Sequence, residues 1–139
     1  MALYARIITP IDLAHPDRME KALDTAADLA KRYEVPLTLV GVTAPQPGAV
    51  AHTSAEYEEK LAAFARAEGD KRDVAMESRA VTTPDPVRDL HETLTREAEA
   101  LGADLIVMAS HVPGVRDHFL ASNAGYVASH SAVSVFVVR

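Results

Sequence analysis

The chain has 139 residues, 48% of them hydrophobic and 24% charged, with 14 Lys or Arg against 20 Asp or Glu and a formal charge of -6. That balance fits one soluble domain around one core, and it disfavours a nucleic-acid partner, because duplex binding depends on cations that displace counterions from phosphates. The absence of cysteine excludes disulfides, thiolate metal sites and a cysteine nucleophile, and it points to the reducing cytoplasm. Aromatic residues are only 5%, too few for the stacking platforms that hold single strands.

Residues 6–9 open with a short β-branched run that Pro10 stops, which predicts a first strand feeding a loop at Ile11 and Asp12. Over 16–33, Met19, Ala22, Leu23, Ala26, Leu29, Ala30 and Tyr33 recur at steps of three and four, so an amphipathic helix follows. Val35 and Pro36 break it, and the aliphatic run 37–42 predicts a second strand covered on both faces.

Residues 43–53 hold Pro45, Pro47 and Gly48 with no period and read as a surface loop. Ser54 is the expected cap of the next helix, whose buried face carries Leu61, Phe64 and Ala65 and whose end falls at Gly69 to Asp73. Glu56, Glu58 and Glu59 make a wet face. A strand is expected over Met76–Thr82. Asp85 followed by Pro86 signals another helix start, with Val87, Leu90, Leu94, Ala98 and Leu101 as its stripe and Gly102 at its end.

Residues 103–109 form the strongest strand in the sequence, expected inside a sheet. A loop over 110–116, a helix over 117–131 and a last strand over 133–138 complete the chain. Its longest apolar run, Leu105–Ala109, is far too short to span a bilayer, and Met1 to Arg6 lack the apolar core and cleavage site of an export signal. No membrane partner is therefore expected.

Five strands alternating with four helices predict a single doubly wound, open, five-stranded parallel sheet over residues 1–139. It is a three-layer α/β/α, Rossmann-like domain, since parallel neighbours need helical crossovers. Ligands of such folds bind beyond the carboxyl ends of the strands where the winding reverses. That singles out the loop after the first strand, with Pro10, Ile11 and Asp12, and the loop after the fourth, with Ala109, Ser110 and His111. From position 109 onward only Arg116, Asp117 and Arg139 are charged, for a sum of +1, so an anion site belongs in that stretch.

The run Leu105-Ile106-Val107-Met108-Ala109-Ser110-His111, the later Leu120-Ala121-Ser122-Asn123-Ala124, the ending 133–139 and the early Thr9-Pro10-Ile11-Asp12 resemble the universal stress protein family in order and spacing. The likeness covers nearly the whole chain. It implies a small α/β domain of a kind that often binds ATP, through a Gly-x-x-Gly, nine residues, Gly-Ser or Gly-Thr pattern around the phosphates. Here Ala109 and Val112 stand at the first glycine pair, Ala121 precedes Ser122, and the spacing is one residue shorter. The branch with a Ser-His-x-Pro loop and a Ser-Asn-Ala turn is the closer likeness, matching Ser110-His111-Val112-Pro113 and Ser122-Asn123-Ala124. Within that branch Ala109 is ordinary; Val112 and Ala121 are the departures.

The resemblance implies that Asp12 and Val42 lie by the adenine and ribose, that Met108, Ala109, Ser110 and His111 surround the sugar and first phosphates, and that Pro10 and Ile11 belong to the same binding site. Val112, Ala121, Ser122, Asn123 and Ala124 then border the phosphate path. Backbone N–H groups at a helix start favour an anion, and Ser and Asn side chains add donors, whereas a Cβ in place of glycine narrows the loop. Simpler roles stay open for several of these residues. Asp12 equally suits a helix cap, His111 a bond to its own loop, and Arg116 with His118 a solvated surface.

The six His residues show neither helical pairing nor clustering, so no metal site is assigned. Ser122 lacks the Gly-x-Ser-x-Gly frame of a nucleophile elbow, and no phosphate-loop lysine motif exists, so no catalytic residue is assigned either. The first expectation is an ATP-binding stress-response protein of the cytoplasm, with slow ATP hydrolysis as its ceiling. The alternative is a nucleotide-free interaction module whose phosphate loop is closed by Val112 and Ala121. In both, the apolar edge of Val133, Val135, Phe136, Val137 and Val138 is expected to join a second copy into a homodimer.

Overall fold

A computed structural model describes residues 3–110 and 119–139, the side chains of 119–123 excepted. Five strands run in the order β3-β2-β1-β4-β5, all parallel: β1 Ile7–Ile11, β2 Leu37–Thr43, β3 Met76–Thr82, β4 Leu105–Ala109 and β5 Ser134–Val138. The crossovers are α1 Glu20–Tyr33, α2 Ser54–Arg72, α3 Leu90–Leu101 and α4 Phe119–His130. Winding runs outward from β1 to β3, then back across to β4 and β5. Right-handed crossovers therefore put α1 and α2 on one face, in mutual contact, and α3 and α4 on the other.

Strands β1 and β4 are buried along their whole length, and β2 is buried but for Thr43, which is why they read as unbroken apolar runs. Ile7, Ile8, Leu37, Leu39, Ile106 and Met108 are among the fully buried side chains of the sheet, with Leu23 and Leu61 packed on one face and Leu90 and Leu94 on the other. At the edge, β3 exposes Glu77, Ser78 and Arg79.

Several boundaries differ from expectation for identifiable reasons. Strand β1 runs through Pro10 to Ile11 instead of stopping. Proline's fixed φ is compatible with extended backbone, and its missing N–H harms only a strand that needs a donor there. The ladder to β4 has already ended at Ile8 paired with Ile106. The cap of α2 is Thr53, not Ser54: its Oγ1 accepts from the Glu56 N–H at 3.1 Å, while the Ser54 hydroxyl bonds Thr82 Oγ1 across to β3.

Helix α2 also passes through Gly69 to Arg72 and ends at Asp73, which takes the left-handed conformation with φ 55°. Gly69 is there for closeness, since a Cβ would sit 2.5 Å from the Val74 carbonyl oxygen. Pro86 starts a turn instead of a helix. Asp85 accepts from the Arg88 N–H at 3.1 Å, and Thr83 donates to the Asp89 carboxylate at 2.7 Å, so α3 begins only at Leu90 and Val87 is left half-exposed. Residues 16–19 form a separate 3-10 turn before α1.

Candidate functional site

The reversal of winding lies between β1 and β4, and there the sheet opens. Pairing between them stops at Ile8 with Ile106, whereas β1 stays on β2 as far as Ile11 with Gly41 and β4 stays on β5 as far as Ala109 with Val138. The carboxyl ends of the two strands thus part, leaving a crevice where a doubly wound sheet holds its ligands. Thr9 lies in the parting segment, wholly buried, and its hydroxyl has no hydrogen-bond partner among the described residues.

Beside the crevice, at the exits of β1 and β2, is a hollow of about 280 Å³. Ile11, Asp12, Val42, Val50, Tyr57 and Val87 are among its walls, which are mainly apolar. Loop residues 48–51 form one side, closed on themselves by the Gly48 N–H to the Ala51 carbonyl at 2.9 Å. Lys60 of α2 donates to the Val50 carbonyl and pairs with Glu56, which ties this aperiodic loop to a helix.

Asp12 is 5% exposed. One carboxylate oxygen accepts from the Ala14 N–H at 3.0 Å and the other lies 3.0 Å from His15 Nδ1, so the residue both shapes the turn and walls the hollow. The helix-cap role weighed for it is not met: the 3-10 turn and α1 start after His15 and Met19, neither with a side-chain cap, and Asp12 acts one turn earlier. Tyr57 is a wall residue that sequence reading missed, although its signal was present: 57, 61 and 65 fall at steps of four on the buried face of α2. Its phenol is pushed well above the ordinary tyrosine range, first by burial and then by the negative charge of Asp12, so it stays a neutral donor.

The other expected site residues divide three ways. Pro10, Ile11, Met108 and Ala109 are buried at the ends of β1 and β4, where the strands part, and Val42 is buried at the end of β2. Ser110 follows Ala109 and is 8% exposed, but its N–H donates to the Val138 carbonyl at 2.7 Å. Only its hydroxyl is left to meet an anion. Ala121, Ser122 and Asn123 lie early in α4, and Ala124 is 1% exposed and packs into the core. His111 and Val112, together with Arg116 and His118, lie outside the described residues.

Among the described residues no group of three His, Cys, Asp or Glu side chains is placed to hold a metal ion. No helix among them is long and apolar enough to cross a membrane.

An open parallel sheet with a crevice at its reversal of winding defines an α/β fold of the doubly wound class. The sequence profile of the universal stress protein family matches residues 3–139. The chain belongs to that family. It is 28% identical to universal stress protein G of Shigella flexneri over 143 residues, covering 99% of this chain and all of that one. Its fold matches that of a universal stress protein in complex with cAMP, at 22% identity, a TM-score of 0.72 and 99% of both chains. It also matches a universal stress protein from Archaeoglobus fulgidus in complex with dAMP, at 19% identity, a TM-score of 0.67 and 99% of both chains.

Proposed function

We propose that this protein binds an adenine nucleotide, ATP first among them, in the crevice between β1 and β4, and that the nucleotide acts as a ligand or switch in a cytoplasmic stress response. The observation that carries the reading is the hollow at the strand exits. It is lined by Asp12 and Val42, the positions at which the family likeness puts adenine and ribose, and by Ile11 of the same expected site. Apolar walls suit the faces of a base, and a buried carboxylate suits an exocyclic amine or a ribose hydroxyl. Relatives of the same fold in complex with cAMP and dAMP support the ligand class. The phosphates then run toward Met108, Ala109, Ser110 and His111 and the start of α4 at Ala121, Ser122, Asn123 and Ala124.

Calorimetry is expected to detect ATP binding, and replacing Val112 and Ala121 together by Gly is expected to tighten it, because each Cβ takes room that phosphate would use. Silence at millimolar ATP would leave the second reading, an interaction module with a closed phosphate loop. The Ser110 N–H, already committed to Val138, favours that second reading at one point. No rapid phosphoryl transfer is assigned to the site, and no catalytic residue.

The homodimer belongs to the same proposal. Strand β5 is an edge of the sheet, with Phe136 45% exposed and Val135 and Val137 only partly covered. An apolar edge of this kind pairs readily with another chain. Sedimentation velocity is expected to give a dimer, and Phe136→Lys a monomer.

A further inference from the structure

The Tyr57 side chain poses a question that packing does not answer. The residue is 5% exposed and its hydroxyl makes no hydrogen bond among the described residues, but the oxygen is not one of the fully buried unpartnered atoms, so it opens to the hollow. It reaches the hollow from α2 and lies close over Gly41 of β2, where an added Cβ would come within 2.5 Å of the Tyr57 oxygen. The nearest charged wall residue, Asp12, already receives the Ala14 N–H and the His15 ring. A phenylalanine would fill the same space, so the hydroxyl serves what enters the hollow: water in the ligand-free protein and a ligand atom in its place. The hydroxyl is therefore a donor available to an acceptor that enters the hollow.

We infer that Tyr57 is a positioning residue for the nucleobase, donating its hydroxyl proton in a hydrogen bond to an unprotonated ring nitrogen of the bound base. The inference rests on the nucleotide reading and extends it to a residue that reading does not need. A ring nitrogen is the fitting acceptor because the surrounding walls, Ile11, Val42, Val50 and Val87, match the flat apolar faces of a heteroaromatic ring better than a sugar. Burial and the Asp12 charge keep the phenol protonated, so it serves as a donor across the neutral range.

The test compares the full-length wild type with Tyr57→Phe, using adenosine, ATP and the 1-deaza, 3-deaza and 7-deaza analogues of adenosine. Tyr57→Phe is expected to weaken adenosine and ATP by about tenfold each, while the ligand-free melting temperature stays level or rises. One of the three analogues is expected to bind wild type as weakly as adenosine binds Tyr57→Phe, and to suffer no further loss in the variant. Unchanged binding by Tyr57→Phe overturns the inference, as does a variant whose ligand-free stability falls, because the hydroxyl would then be structural. Three analogues that all bind wild type like adenosine overturn it without any variant. In each of these cases the nucleotide reading stands, whereas wild type that takes up neither adenosine nor ATP removes both.

Discussion

Arg72→Ala is expected to lower the unfolding free energy by about 3 kcal/mol, read as a shift of the urea midpoint at unchanged slope. The Arg72 side chain is 8% exposed at the end of α2, and all three of its nitrogens are engaged. Nε donates to Asp24 at 2.8 Å and Nη2 to Glu20 at 3.0 Å, both on α1. Nη1 donates to the Glu68 carbonyl at 3.1 Å and carboxylate at 3.3 Å. One side chain thus fastens two helices on the same face of the sheet.

Glu20 and Asp24 are mostly exposed and would rehydrate, so their share of the loss is small. Glu68 is 6% exposed and cannot, although Lys71 at 2.7 Å keeps one of its oxygens paired. That residual pairing places the expected loss at the lower end for a broken buried ion pair. Arg72→Lys keeps the charge but not the three-way fork, and is expected to recover less than half of the loss.

Gly41→Val is expected to cost about 3 kcal/mol, measured the same way. Gly41 lies inside the sheet between Ile11 of β1 and Ala80 of β3. A Cβ there would stand 2.5 Å from the Tyr57 oxygen and 2.9 Å from both a Tyr57 ring carbon and a Leu61 methyl. Tyr57 and Leu61 are both buried, so relief of these contacts is expected to lift α2 from the sheet. Because the nearest atom is the hydroxyl, Gly41→Ala is expected to be less harmful on a Tyr57→Phe background than on wild type, and the cycle reports that coupling directly.

The five strands and their parallel order were legible because strands covered on both faces must be apolar throughout, and runs such as Leu105-Ile106-Val107-Met108-Ala109 have no other use in a chain of this charge. The crevice was legible for a topological reason: the order of elements alone locates the reversal of winding. Boundaries were less so. Thr53 and Ser54 are equally good caps in isolation, and Thr82, 28 positions after Ser54, decides between them by engaging the serine.

Asp85 and Pro86 carry a sound start signal that yields a turn, because the Asp89 carboxylate is drawn off by Thr83. Of the candidate site, Ile11 and Asp12 were found because they stand at the exit of β1, and Val42 was found only through the family likeness. Tyr57 and residues 48–51 were not: a helix residue and an aperiodic loop reach the hollow only through tertiary ties such as Lys60 to Val50. The commitment of the Ser110 amide to Val138 depends on strand register, which no local pattern reports.

The early end of the β1 and β4 ladder has a thermodynamic corollary. Because that gap is written into a proline and a register rather than opened by the guest, this side of the cleft is preorganised. A guest arriving there spends little of its affinity on rearranging backbone, and the entropy of shaping the cavity has already been settled in folding. Differences in affinity among guests should then follow their edges and faces, with small changes in heat capacity beyond what the buried surface of the guest itself demands.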